Sequence, residues 1–178
     1  TFVQTRANRV AQMTLYGYLR TRAGTRFPEL FDNDDFVVSI NIAKWHVWLA
    51  CLSDLALHVG GMLQCAACAE AARRLVLDLV EQILRETGTP ADAGPEFEAH
   101  AARVRSRLRL AALPGADDNG VAFAESPDAV VYWAPIADGL KELDAEIVRN
   151  SVLFHWHEVR RELSRNLDPA AVLSSAAA

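Results

Sequence analysis

One long apolar stretch, residues 36–63, constrains the fold of this chain more than any other feature of its sequence. Projected at about 100° per residue, its apolar side chains cover nearly the whole circumference of a helix. Such a helix is either the core of a bundle or a membrane span. Lys44 and Asp54 leave only residues 45–53 uncharged between them, far short of the roughly 20 residues that a span requires. We therefore predict a buried central helix and no membrane association.

The composition predicts that the rest of the chain packs around this helix as a single all-α domain. The 178 residues are 51% hydrophobic and 23% charged, which is ordinary for a folded domain. No segment alternates convincingly between apolar and polar side chains over the length of a strand. We expect a bundle of five to six helices over residues 1–168. Residues 169–178 have little to pack against and are expected to form a disordered tail.

Apolar periodicity and helix breakers place the surrounding helices. The predicted ranges are about 2–22, 62–86, 95–113 and 136–166, with a further short helix starting at Ser126. Gly60 and Gly61 together would cost a helix about 2 kcal/mol relative to alanines, so they predict a kink or corner. Cys65 and Cys68 fall on the apolar stripe of the helix that follows, which predicts that both are buried.

Positive charge is concentrated at the start of the chain. Residues 1–28 contain five arginines and no acidic residue, whereas the formal net charge of the whole chain is −5. This asymmetry predicts that the first helix faces an acidic surface: the protein's own body, a second copy, or another acidic protein. The candidate contact residues are Arg6, Arg9, Tyr16, Arg20 and Arg22. The acidic overall charge argues against nucleic-acid binding.

The segment Cys65-Ala-Ala-Cys68 is the sharpest catalytic candidate. If a helix begins at Met62, its dipole stabilises a thiolate at Cys65, and the i,i+3 spacing brings the two sulfurs close together. The spacing resembles the C-x-x-C-x-x-x-H arrangement of helical alkylhydroperoxidase-D-type proteins, but Ala72 stands where the histidine would be. Other common catalytic and cofactor motifs are absent from the sequence, so no cofactor is expected. A thiol-redox protein is therefore an alternative.

Three ionisable residues of the central helix form a second candidate site. His46, Asp54 and His58 are unusual on so apolar a helix, and Asp54 and His58 stand one turn apart. Such residues suit a metal or small-ligand site. The alternative is that each is a buried polar group satisfied by a neighbouring helix.

The sequence favours a non-enzymatic interaction module that associates with itself. Four tryptophans on a small chain, the small residues of the first helix and the uneven charge all point this way. The last helix has an apolar stripe of Ile136, Leu140, Leu143, Ile147 and Phe154, which Val152, Val159 and Leu163 join. Asn150 and Ser151 fall where this stripe shifts, a position from which they would face a partner helix and set its register. The three cysteines and the lack of a signal-peptide pattern in the given chain predict a cytoplasmic protein.

Overall fold

The structure, a computed structural model, describes residues 1–66, 68–115 and 121–176. These residues form seven α-helices and no strand, which confirms the all-α prediction with one helix more than the upper expected number. The helices are α1 (Phe2–Ala23), α2 (Asp34–Leu63), α3 (Ala69–Thr87), α4 (Phe97–Leu110), α5 (Glu125–Trp133), α6 (Asp138–Asn166) and α7 (Pro169–Ala176). Short 3-10 turns at Gly24–Arg26 and Pro28–Asp32 lead from α1 to α2, and a third at Val121–Phe123 precedes α5.

The central helix is α2, which contacts α1, α3, α4, α5 and α7. Asn33 begins it, because its side-chain oxygen accepts the Phe36 N–H at 3.0 Å, and two acidic residues in the first turn suit the helix dipole. By length and composition α2 would also fit a membrane span, but 56% of its most apolar window is buried inside the protein. The predicted buried central helix is therefore confirmed.

Gly60 and Gly61 lie inside α2 and do not form a corner. A Cβ atom on Gly61 would lie 2.4 Å from the Pro114 carbonyl oxygen, and one on Gly60 would lie 2.8 Å from the Leu113 side chain. The Gln64 side chain donates to the carbonyl oxygens of Leu113 and Pro114, at 3.2 and 2.7 Å. The prediction of a corner was wrong, and the glycines instead allow the chain after α4 to lie directly on α2.

The chain ends in a further helix where a disordered tail was expected. The Asp168 side chain accepts the backbone N–H groups of Ala170 and Ala171, at 3.0 and 3.1 Å, and so caps α7. Val172 and Leu173 pack against the core, which gives the segment the apolar contacts that the sequence did not reveal. Residues 177 and 178 lie outside the described part of the chain.

Candidate interaction surface

The arginines of α1 lie mainly against α6 of the same chain. Arg6 pairs with Glu162, with its Nε atom 2.7 Å from Oε2. Arg22 pairs with Asp144, whose carboxylate also accepts the Tyr18 hydroxyl at 3.0 Å. Burial and the bond to Asp144 raise the pKa of Tyr18 to about 12, so the hydroxyl remains a donor at neutral pH. The acidic surface that the charge asymmetry predicted is thus supplied, for these two arginines, by the protein's own body.

The other predicted contact residues of α1 have different surroundings. Arg20 lies over the ring of Phe27, with its guanidinium carbon 5.6 Å from the ring centre, and Tyr16 is half-buried against the core. Arg9 is exposed and lies close enough to Glu162 to help lower the pKa of that carboxyl, after the larger effect of Arg6. Arg9, Arg20 and Arg22 are exposed, so contact of these residues with a partner stays a prediction.

Two apolar faces run along α6. One face packs against the core and consists of Val148, Val152, Trp156, Val159 and Leu163. The other, which we call the outer stripe, consists of Leu140, Leu143, Ile147 and Phe154. Leu143, Ile147 and Phe154 are 76%, 73% and 75% exposed. At about 100° per residue the outer stripe lies roughly 150° from the core face, so it points away from the bundle.

The outer stripe has the spacing of a coiled-coil seam. Leu140, Leu143, Ile147, Asn150 and Phe154 follow one another in steps of three, four, three and four residues. Asn150 and Ser151 are exposed, and their predicted contact with a partner helix stays a prediction. A polar residue at one seam position fixes the register of paired helices.

Charge changes sign along the exposed side of α6. Glu142 and Glu146 lie in its N-terminal half, whereas Arg161 and Arg165 lie in its C-terminal half together with one acid, Glu158, and all five are exposed. None of them forms an ion pair within the residues that the structure describes. The surface around the outer stripe is therefore acidic at one end and basic at the other.

No protein-family model, curated protein or solved structure matches this chain. The geometry of its own residues is therefore the basis for assigning a function.

Asp54 belongs to a buried network that joins four helices. Its carboxylate accepts Arg107 at 2.6 Å and the backbone N–H groups of Glu125 and Ser126 at 3.2 and 2.8 Å, which caps α5 from α2. The Trp156 indole N–H of α6 donates to the Ser126 hydroxyl at 2.8 Å. Burial raises the pKa of Asp54 to about 6, against the opposing effects of Arg107 and the hydrogen bonds. These contacts give Asp54 a structural role.

The structure does not bring His46, Asp54 and His58 together. His46 is fully buried, with its Nδ1 atom 2.9 Å from Nδ1 of His100 on α4 and its ring stacked on Trp133 at 3.8 Å. The ring of His58 packs against the ring of Phe123, with the ring centres 5.0 Å apart, and forms no hydrogen bond with Asp54 within the described residues. Within the described residues no group of three histidine, cysteine or acidic side chains is placed to hold a metal ion. The alternative of a buried polar group satisfied by neighbouring helices describes Asp54, whereas His46 bonds to His100 through Nδ1 only and its buried Nε2 atom has no hydrogen-bond partner among the described residues.

Cys65 and Cys68 are both exposed, so the prediction that they lie on a buried stripe was wrong. The reason is that α2 continues to Leu63 and α3 begins only at Ala69, which leaves both cysteines in the connector. Cys65 Sγ lies 3.6 Å from the Gly61 carbonyl oxygen. Exposure satisfies one requirement of the thiol-redox alternative, which stays a prediction.

Proposed function

We propose that this protein is a non-enzymatic assembly module that forms a homodimer through the outer stripe of α6. The main support is that Leu143, Ile147 and Phe154 are each about three quarters exposed on one face of one helix. Single exposed apolar side chains are ordinary on a protein surface. A row of them with coiled-coil spacing is typical of an interaction site.

The charge distribution on α6 favours a second copy in antiparallel orientation. In a parallel pair the two acidic halves would lie together, as would the two basic halves. In an antiparallel pair with its axis near Ile147, the basic ends of the two copies lie at opposite ends of the interface and no longer repel each other, and the opposed helix dipoles attract, although Glu146 lies close to the axis in both copies. If the two-fold axis passes near Ile147, the outer stripes of the two copies lie against each other over their whole length, with Leu140 of each copy beside Phe154 of the other.

Burial of the outer stripe supplies the association energy. Full burial of a leucine, isoleucine or phenylalanine side chain contributes about 1.5–3 kcal/mol. Because Ile147 is 73% exposed and occurs twice in a symmetric dimer, this position contributes about 2–4 kcal/mol. Loss of that contribution corresponds to a roughly 30- to 1,000-fold increase in Kd.

The test is the mass in solution of the unmodified protein and of the variant Ile147→Glu, measured by light scattering over a dilution series. We expect the unmodified protein to have twice the chain mass of 19.6 kDa at the concentrated end of the series and to dissociate on dilution. We expect the variant to be a monomer with an unchanged circular dichroism spectrum, because residue 147 is exposed in the single chain.

Val38→Glu is the matched control. Val38 is also a largely exposed apolar residue on a helix, at 58%, but it lies on α2 away from the outer stripe. It should leave the dimer intact. A monomeric unmodified protein at all concentrations would contradict the proposal, as would a dimer that Ile147→Glu does not weaken.

A further inference from the structure

An apolar cavity of about 390 Å³ lies where α1, α2, α3, α6 and α7 meet. Its walls include Leu63 of α2, Leu75 and Leu79 of α3, Leu163 of α6 and Val172 of α7. The hollow is partly open to solvent, so a ligand can enter it from the surface. Its volume falls within the range of small-ligand pockets, and an apolar hollow favours an apolar occupant over water.

Asn166 lines this cavity and also lines a charged groove between α1 and α6. The charged residues of the groove are Arg6, Arg9, Arg161, Arg165, Glu158 and Glu162. Four arginines against two glutamates leave a formal charge of +2, and Arg6 neutralises Glu162 directly. Asn166 is exposed, as are Arg161 and Arg165. An apolar cavity and a positively charged surface therefore meet at Asn166.

We propose that the cavity binds the hydrocarbon chain of a long-chain carboxylate, with the carboxylate held at Asn166 and the neighbouring arginines. The hydrocarbon chain of such a molecule requires an apolar cavity and its carboxylate requires a positively charged surface, and the two meet at Asn166. A guanidinium forms strong charge-assisted hydrogen bonds with a carboxylate. The cavity lies near the lower end of ligand-pocket volumes, which fits one chain better than the two chains of a phospholipid. The site is built from one chain, so it does not depend on the dimer.

The test is displacement of cis-parinaric acid, a fluorescent carboxylate, by hexadecanoate at concentrations below micelle formation. We expect one hexadecanoate to bind per chain, and the monomeric Ile147→Glu variant to bind it equally well. Leu79→Trp places an indole ring in the cavity and should weaken binding roughly tenfold or more. Leu79 is half-buried, and if circular dichroism shows that this variant is unfolded, Leu75→Trp fills the same wall.

A second pair of measurements tests the head group. Arg165→Gln should weaken hexadecanoate binding about fivefold to tenfold and leave hexadecanol binding unchanged, because only the carboxylate meets the guanidinium. Arg74→Gln, on an exposed part of α3 that does not line the cavity, is the matched control and should change neither. Absence of displacement would overturn the proposal. So would binding of many molecules per chain, unchanged binding in a folded tryptophan variant, or hexadecanol binding as tightly as hexadecanoate.

Discussion

Glycine-to-alanine substitution should change stability in opposite directions at two positions of this bundle, Gly17 in α1 and Gly61 in α2. In a helix interior alanine is favoured over glycine by about 0.5–1 kcal/mol. A Cβ atom at position 17 meets nothing within 4 Å, so Gly17→Ala should stabilise the protein by about that amount. A Cβ atom at position 61 would lie 2.4 Å from the Pro114 carbonyl oxygen and 2.9 Å from its ring. Such overpacking costs about 1–3 kcal/mol.

Displacement of that segment in Gly61→Ala would also strain the hydrogen bonds that Gln64 donates to it, at a cost of about 1 kcal/mol. With the gain in helix propensity subtracted, we expect a net destabilisation of about 1–3 kcal/mol. The assay is urea unfolding followed by circular dichroism, at a protein concentration where only one oligomeric state is present, with equal m-values as the check on two-state behaviour. If Gly61→Ala proves as stable as the unmodified protein, the close approach of Pro114 to α2 is refuted.

Three further predictions concern buried charges and thiols. Asp54→Ala should destabilise the protein by about 3–5 kcal/mol in urea unfolding, because Arg107 loses its buried partner and keeps only Glu125, and the two backbone N–H groups at the start of α5 lose their acceptor. Asp78→Ala, on the exposed side of α3, should change stability by less than about 0.5 kcal/mol. Burial lowers the pKa values of His58 and His100 to about 4. Because the unfolded chain binds these protons near pH 6.5 and the folded protein does not, the contribution of the two neutral histidines to stability is complete above about pH 6.5 and is lost as the pH falls towards 4. Protonation of Asp54, whose pKa is raised to about 6, offsets part of this loss, whereas His46, whose pKa burial also lowers, adds to it. The net loss of stability between pH 7.5 and 4.5 should be about 3 kcal/mol or more, and equal urea midpoints at the two pH values would contradict this. Cys65 and Cys68, which are exposed, should react with a thiol reagent in the native protein, whereas the buried Cys51 should react only after unfolding. Thiol titration with and without urea measures this difference.

The central helix could be predicted because the decisive information is local. A helix that is apolar on all sides and carries charges too closely spaced for a membrane span has to lie in a core, whatever surrounds it. The Asn33 cap and the acidic first turn that start α2 are equally local, and the structure contains them. Local reasoning failed at Gly60 and Gly61, because these glycines contact Leu113 and Pro114, which are more than 50 residues away in the sequence.

The orientation of α6 could not be read from its sequence. The helix carries two apolar stripes, and periodicity finds both without showing which one faces the core. Packing against α1 and α5 decides the matter, since it buries Val152 and Trp156 and leaves Ile147 and Phe154 outside. The presence of two stripes on one helix is the signal in the sequence that one of them is exposed or meets a partner.

The partners of the buried polar residues were also beyond sequence reasoning. Asp54 and His46 lie on α2, but Arg107 and His100, which bond to them, lie on α4. Nothing in the sequence near either residue indicates which helix supplies the bond, because the pairing depends on how two helices cross. What could be predicted is only that a buried polar group requires some partner.

The measurement that tests the assembly account most directly is the distance between two copies of a single spin label in the protein. The label is placed at Ser164, which is exposed on α6, by Ser164→Cys after the exposed Cys65 and Cys68 have been changed to serine. In an antiparallel pair with its axis near Ile147, each label lies 17 residues along α6 from the axis, which is about 25 Å. The two labels are then separated by a distance on the order of 50 Å. A parallel pair would give a separation below about 20 Å, and a monomer would give no defined distance. Either of these results would contradict the proposed antiparallel dimer.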